Sequence, residues 1–171
     1  MKITWFGGSA FRVQMGGQII VVDPEQGQGV DRAELSSGAD AIIDSESALG
    51  RAGPEWRPRP RASLLEAGSE LRPVEVLSAG DGAVLIDGDE ERPLLIVSGD
   101  VPALGRWAAQ AVIVLAGEHL AARGSAVAQL GARLIALAGS DLEVDAAFGE
   151  LGGHLDGTGL VALEHGLAIE T

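Results

Sequence analysis

Polar and apolar residues alternate along the opening stretch of the chain in the manner of β-strands. The pattern predicts three strands, at residues 3–6, 11–15 and 19–23. Gly16-Gly17 separates the last two as a two-residue turn, in which both positions can take the positive φ that a tight β-hairpin requires. The glycine-rich polar stretch 26–35 predicts a loop with one helical turn, and the apolar run at 41–44 predicts a fourth strand.

The period of the pattern changes near residue 100. Up to that point the chain predicts three further strands, at residues 74–77, 83–87 and 94–98. Beyond it, apolar residues recur at helical spacing over 102–110 and 118–131, and short apolar strands are predicted at 112–115 and 134–138. A strand, a helix and a strand in that order predict a parallel βαβ unit.

The end of the chain predicts one more helix and a closing hairpin. The helix covers residues 141–151, with Asp141 as its N-cap and Gly152 at its stop. The hairpin has two strands, at residues 159–163 and 167–170. An antiparallel, strand-rich first half followed by a βαβ unit predicts an α/β fold, a four-layer αββα sandwich with two facing mixed sheets and helices outside.

The composition is that of one globular domain covering residues 1–171, since 46 % of the residues are apolar. The chain has no cysteine, which excludes disulfides, thiolate metal ligands and a cysteine nucleophile. Its formal net charge of −13 repels phosphate backbones, so nucleic acid is not an expected partner. We expect a cytoplasmic protein without membrane association, because the run 108–117 is too short to span a bilayer and no export signal opens the sequence.

Candidate chemistry follows the fourth predicted strand. The apolar run there leads directly into Asp44, Ser45, Glu46 and Ser47. Strand ends hold side chains rigidly at the rim of a cleft, which is where many α/β proteins keep their active sites.

The opening residues MKITWFGGSAFRVQMGGQIIVVDPE resemble the metallo-β-lactamase superfamily, in particular its small Zn-dependent hydrolases of the ascorbate-lactonase-like type. Those proteins begin with the same strand, a Gly-His-Ser turn, a hairpin and a strand ending in Asp-Pro. The resemblance continues through the strand at 95–97, which ends in Gly99-Asp100, and through the later strands. It implies a zinc-dependent hydrolase of that fold.

The same resemblance shows that the zinc ligands are missing. The family's His-x-His-x-Asp-His motif holds zinc, which deprotonates water near neutral pH, but residues 45–50 read Ser-Glu-Ser-Ala-Leu-Gly. Only Asp100 matches a family ligand, the bridging aspartate, and serine hydroxyls are poor zinc ligands. We therefore predict no catalytic residues, no cofactor and a vestigial pocket formed by Gly8, Asp44, Ser45, Glu46, Ser47, Asp100 and Ser140.

Three functions remain open on this basis. The first is a catalytically inactive protein that acts by binding a protein partner or a second copy of itself, as an accessory, assembly or scaffold subunit. The second is a hydrolase with a rearranged site, in which Asp44, Glu46 and Asp100 hold Mg²⁺ or Mn²⁺ through oxygen ligands; the alternative for these residues is a solvated acidic rim. The third is a small-molecule sensor with an enclosed cavity.

A loop rich in proline and arginine, residues 51–62, departs from the acidic background. Proline excludes a helix or a central strand there. A rigid cationic strip would suit a partner's acidic or aromatic groove, and the alternative is a solvated loop. The candidate partner-binding residues are Trp56, Arg57, Arg59 and Arg61.

The other polar and aromatic residues predict structural roles. Asp23 is expected to cap a turn before Pro24. Trp5 and Trp107 are expected in the core. The histidines His119, His154 and His165 have no spacing that places two on one helix face, so we expect surface or helix-end positions for them.

Overall fold

The computed structural model describes residues 1–44, 47–59, 72–89 and 91–171. Three of the predicted site residues, Ser45, Glu46 and Arg61, lie outside the described residues. Strands and short helices alternate along the described part, and the strands assemble into two sheets. None of the described helices is both long enough and apolar enough to cross a membrane.

The first sheet is built mainly from the start of the chain. Its strands are β1 (Lys2–Trp5), β2 (Phe11–Met15), β3 (Gln18–Val22), β4 (Ala41–Ile43) and β12 (Ala168–Glu170). Their order is β12-β1-β2-β3-β4. The first three form the predicted antiparallel meander, with Gly16 and Gly17 both at positive φ in the turn, and β4 pairs in parallel with β3.

The second sheet has seven strands in the described part of the chain. They are β5 (Gly50–Arg51), β6 (Glu75–Gly80), β7 (Ala83–Asp87), β8 (Leu94–Val97), β9 (Val112–Ala116), β10 (Leu134–Ala138) and β11 (Gly159–Ala162). Their order is β11-β10-β9-β8-β7-β6-β5, and the neighbours from β8 to β11 are all parallel. The predicted βαβ unit is therefore present, with α2 (Leu120–Ala128) between β9 and β10.

The two sheets pack face to face around one apolar core. Phe11 and Val13 of the first sheet and Ile96 and Val114 of the second belong to it, and each is at most 2 % exposed. A second core lies between the seven-stranded sheet and the helices α2 and α3 (Asp141–Leu151). The predicted α/β class and facing sheets are thus confirmed.

The helical covering is unequal on the two sides. Among the described residues, the outer face of the five-stranded sheet carries only α1 (Arg32–Leu35) and a 3₁₀ turn at Pro24–Gln26. Buried Leu35 packs there on Val21 and Ala10. The outer layer of the sandwich is therefore a small patch on this side.

The predicted closing hairpin is wrong. Strand β11 pairs in parallel with β10, whereas β12 pairs antiparallel with β1 in the other sheet. The chain crosses from one sheet to the other between them, and Gly166 donates its N–H to the Trp5 carbonyl at 2.8 Å on the way. Apolar alternation identifies strands but not their partners, which explains the error.

Two helix predictions also need correction. The N-cap of α3 is Ser140, whose hydroxyl oxygen accepts the Glu143 N–H at 3.4 Å, and Asp141 is the first helical residue. Residues 102–110 contain only the 3₁₀ helix Arg106–Gln110, because the apolar positions there reflect the burial of Trp107 and Ala108 against the core and not a full helical face. Helix α2 is also shorter than predicted.

Candidate functional site

The ends of several strands surround a cleft of about 290 Å³ between the two sheets. The segments that follow β3, β4 and β8 reach it, together with the turn between β6 and β7. Apolar residues at its base include Val22, Ile43 and Ile96. Its polar lining consists of carboxylates and hydroxyls, from Ser9, Asp23, Asp44, Ser47, Ser78, Asp81 and Ser98.

Asp44 and Ser47 form a closed local turn at the rim of the cleft. The Ser47 hydroxyl donates to the Asp44 carboxylate at 2.9 Å and its oxygen accepts the Asp44 N–H at 3.0 Å. The Ser47 N–H in turn donates to the Asp44 carbonyl at 3.1 Å. This pair therefore shapes the strand end, as serine and aspartate commonly do in turns.

The serines on the opposite wall also form hydrogen bonds to nearby backbone carbonyls. The Ser98 hydroxyl donates to the Gly82 carbonyl at 3.0 Å, and the Ser78 hydroxyl donates to the Gly80 carbonyl at 3.4 Å. A nucleophilic serine requires a neighbouring base that removes its proton. No lining residue is a histidine, so these hydroxyls lack the usual activating partner.

Asp23 adopts a left-handed backbone conformation, with φ of 44° and ψ of 54°. It precedes the Pro24–Gln26 turn as its N-cap, yet its side chain makes no capping hydrogen bond. The Asp23 N–H donates to the Ile43 carbonyl at 2.7 Å, which ties the ends of β3 and β4 together. The residue thus holds the expected position, while its carboxylate lines the cleft.

Asp100 lies beside a neighbouring cleft of about 440 Å³ and not in the first one. Asp81, Gly82 and Ser98 line both clefts. Arg123 donates to the Val97 carbonyl at 2.6 Å, and its positive charge interacts electrostatically with Asp100.

Burial lowers the pKa of Arg123, and the charges of Asp100 and Glu143 partly offset that effect. A guanidinium keeps its proton in proteins. A permanent positive charge therefore acts on Asp100, the residue that the resemblance matches to a metal ligand.

The donor set does not fit zinc. Zinc sites in proteins use imidazole or thiolate ligands, with carboxylate as a minor component. Among the described residues, no three His, Asp or Glu side chains come together in a way that could hold a metal ion. Glu46 lies outside them, so the all-oxygen site of Asp44, Glu46 and Asp100 stays a prediction, with Asp44 and Asp100 lining different clefts.

Gly8 and Ser140 are not among the lining residues of the cleft. Gly8 has φ of 49° in the turn after β1, and its carbonyl accepts the Trp5 indole N–H at 3.0 Å. Three residues of the lining, Ser9, Asp81 and Ser98, were not predicted from the sequence. The only available signal was Asp81-Gly82, a hairpin dipeptide that places a carboxylate at a strand end.

The partner-binding candidates have contacts within the chain. The Trp56 ring packs edge-on against Trp107, with 5.2 Å between ring centroids. Arg59 donates to the Glu75 carboxylate at 3.1 Å, and exposed Arg57 donates to the Trp56 carbonyl at 3.1 Å. Trp107 is 2 % exposed, as expected for a core residue, and Trp5 is half-buried.

The predicted histidine positions agree with the structure. His119 lies at the N-cap of α2, and His154 follows α3. His165 contacts the rings of Trp5 and Phe6. These three residues lie apart from the cleft lining.

Two solved structures share the fold. One is Igni18, a metallo hydrolase from the hyperthermophilic archaeon Ignicoccus hospitalis KIN4/I, with a TM-score of 0.55 and 13 % identity over 99 % of this chain and 98 % of that one. The other is a protein from Thermotoga maritima described as a Zn-dependent hydrolase of the metallo-β-lactamase superfamily, with a TM-score of 0.51 and 16 % identity over 96 % and 99 % of the two chains.

These structures confirm the predicted resemblance at the level of the fold, which is that of the metallo-β-lactamase superfamily. No family model matches the sequence. No curated protein matches it either.

Proposed function

We propose that the chain is a catalytically inactive protein of the metallo-β-lactamase fold that acts by binding, as an accessory, assembly or scaffold subunit. The observation that carries the proposal is the lining of the cleft at the strand ends. Aspartates and serines stand there without any imidazole, and the Ser47, Ser78 and Ser98 hydroxyls are engaged with neighbouring groups of the same chain.

Among the described residues of this cleft, two routes to hydrolysis lack their components. Metal-assisted hydrolysis requires an ion that lowers the pKa of a bound water, and the donor set is unsuited to zinc. Nucleophilic catalysis requires a hydroxyl paired with a base, and the nearest candidates are hydrogen-bonded to carbonyls or to Asp44. The positive charge of Arg123, which interacts electrostatically with Asp100, also opposes cation binding at that residue.

Metal content is the decisive test of this proposal. The protein would be purified without a histidine tag or chelator and analysed by elemental mass spectrometry, before and after incubation with Zn²⁺, Mn²⁺ and Mg²⁺. We expect near-zero occupancy throughout. Occupancy close to one ion per chain would overturn the proposal.

Variants at the carboxylates identify the origin of any bound ion. Asp44→Asn, Glu46→Gln and Asp100→Asn each remove one ligand of the alternative oxygen site and preserve side-chain size. Loss of the ion in all three would establish the rearranged oxygen site, and a hydrolase substrate screen would then test that site for activity. Asp145→Asn changes an exposed aspartate on α3 and serves as the matched control.

A further inference from the structure

A second groove lies at the other end of the parallel strands. Strands β8, β9, β10 and β11 begin side by side there, as shown by the hydrogen bonds from the Val112 N–H to the Pro93 carbonyl at 2.9 Å and from the Gly159 N–H to the Arg133 carbonyl at 3.1 Å. The groove has a volume of about 620 Å³, within the range of small-molecule sites.

Two arginines border this groove, one before β8 and one before β10. Arg92 and Arg133 are both exposed, and neither side chain has a hydrogen bond or an ion pair in the described part of the chain. The nearby Glu91 instead accepts the Gly16 N–H at 2.9 Å and pairs with the N-terminal ammonium group. Among the described residues, no aspartate or glutamate side chain lines the groove, and Thr171 borders it as a further polar residue.

This local charge contrasts with the rest of the molecule. The chain has 12 basic and 25 acidic residues. Several described arginines are neutralised by carboxylates, for example Arg59 by Glu75 and Arg72 by Asp89. Two unpaired guanidinium groups around one groove are thus a local positive site on an acidic protein, and guanidinium groups match the geometry of carboxylates and phosphates.

Thr158 supplies a polar group at the same place. It lines the groove and is only 9 % exposed, yet its hydroxyl forms no hydrogen bond within the described residues. The hydroxyl oxygen itself keeps contact with solvent, so it is accessible to a ligand in the groove. An oxygen of a bound anion would accept the Thr158 proton.

Apart from Thr171, the remaining walls of the groove are apolar or consist of backbone. Val112, Leu134 and Leu155 provide apolar side chains. Gly157 and Gly159 flank Thr158 and add no side chains of their own. A ligand that fits these walls has an apolar body attached to its anionic group.

We propose that this groove binds a small amphipathic anion, a carboxylate or phosphate monoester with an apolar body. Arg92 and Arg133 contact the anionic group, Thr158 donates a hydrogen bond to it, and the apolar body lies on Val112, Leu134 and Leu155. The groove is separate from the cleft between the sheets, so this proposal holds whether or not that cleft binds a metal ion.

The test is a titration of ¹⁵N-labelled full-length protein with octanoate, octyl phosphate, octanol and inorganic phosphate, followed by amide chemical shifts. We expect saturable shifts centred on Arg133 and residues 157–159 with octanoate or octyl phosphate. Octanol and inorganic phosphate lack the charge or the apolar body, so each should bind at least about tenfold more weakly. The stronger of the two octyl anions identifies the preferred head group.

Variants then assign the contacts. Arg92→Gln combined with Arg133→Gln should weaken binding of the preferred anion by about tenfold or more, and Thr158→Val should weaken it several-fold. Arg106→Gln, which changes another exposed arginine outside the groove, should leave the affinity unchanged. Equal binding of octanol, unchanged affinity in the double variant, or shifts centred elsewhere would each overturn the proposal.

Discussion

The buried carboxylate of Asp87 accepts the backbone N–H of Arg59 at 3.1 Å, and the Nε of the same arginine lies 3.8 Å from it. Asp87 ends β7 and is 1 % exposed. Burial raises the pKa of Asp87, and the hydrogen bond and charge of Arg59 partly offset that rise. The pair therefore anchors one end of the proline- and arginine-rich loop to the seven-stranded sheet.

Replacing Arg59 should show how much free energy the burial of the Asp87 carboxylate costs when its cation is removed. In Arg59→Ala, Asp87 keeps the backbone hydrogen bond but loses its cation, so we expect a loss of about 1–3 kcal/mol in the free energy of unfolding near pH 7. The loss should shrink as the pH falls through the raised pKa of Asp87, because the protonated acid needs no cation. Urea unfolding at about pH 7 and about pH 4 measures both effects.

The double variant provides the control for this pair. In the Asp87→Asn background, Arg59→Ala should lower the free energy of unfolding much less, and the size of that loss should no longer depend on pH. An unchanged cost in that background would show that Arg59 acts through Glu75 or through packing alone.

Asp89 should have the opposite pH dependence. The hydrogen bonds from Arg72, with Nη2 to Oδ1 at 2.6 Å and the backbone N–H to Oδ2 at 2.9 Å, lower the pKa of Asp89. An acid with a lowered pKa stabilises the fold above its unfolded value near 3.9, and the gain is lost as the pH falls through the folded pKa. Asp89→Asn should thus unfold at lower urea concentration near neutrality and converge with the parent protein in acid. A constant difference at all pH values would contradict this assignment.

Two glycines in the helices should respond oppositely to alanine. A Cβ added at Gly124 of α2 would lie 2.5 Å from the Cδ1 of Leu151 on α3, and Leu151 is 1 % exposed. Gly124→Ala should therefore lower the free energy of unfolding by about 1–3 kcal/mol. A Cβ at exposed Gly149 of α3 meets nothing within 4 Å, so Gly149→Ala should stabilise by about 0.5–1 kcal/mol. Thermal unfolding of the two variants compares them directly, and stabilisation by both would contradict the close packing of α2 on α3.

Trp56 distinguishes a structural residue from a partner anchor. Its edge-on contact with Trp107 should make Trp56→Ala less stable by about 1–2 kcal/mol, with Trp56→Phe in between. If the residue acted only through a partner, the isolated protein would keep its full stability in both variants. Urea unfolding of the purified chain therefore separates the two roles, with Arg57→Gln as a neighbouring substitution expected to be neutral.

The local elements were predictable because they depend on short-range patterns. The meander β1–β3 follows from alternation and from Gly16-Gly17, and the parallel β9-α2-β10 unit follows from the change to helical spacing. The same patterns could not reveal that β11 and β12 lie in different sheets. Strand β11 pairs with β10, more than 20 residues earlier, and β12 pairs with β1 at the other end of the chain, so local alternation specifies neither partner. The cap of α3 was misplaced by one residue because Ser140 and Asp141 are both good N-caps.

The sequence by itself determined which metal-ligand types are available, since the chain has no cysteine and carries 3 histidines against 25 aspartates and glutamates. Only the tertiary structure decided which of these residues lie close together. It placed Asp44 and Asp100 at different clefts, let the charge of Arg123 act on Asp100, and joined Arg92, Arg133 and Thr158 around one groove. The reason is physical, since composition sets the available ligands, whereas long-range strand pairing sets the distances between them.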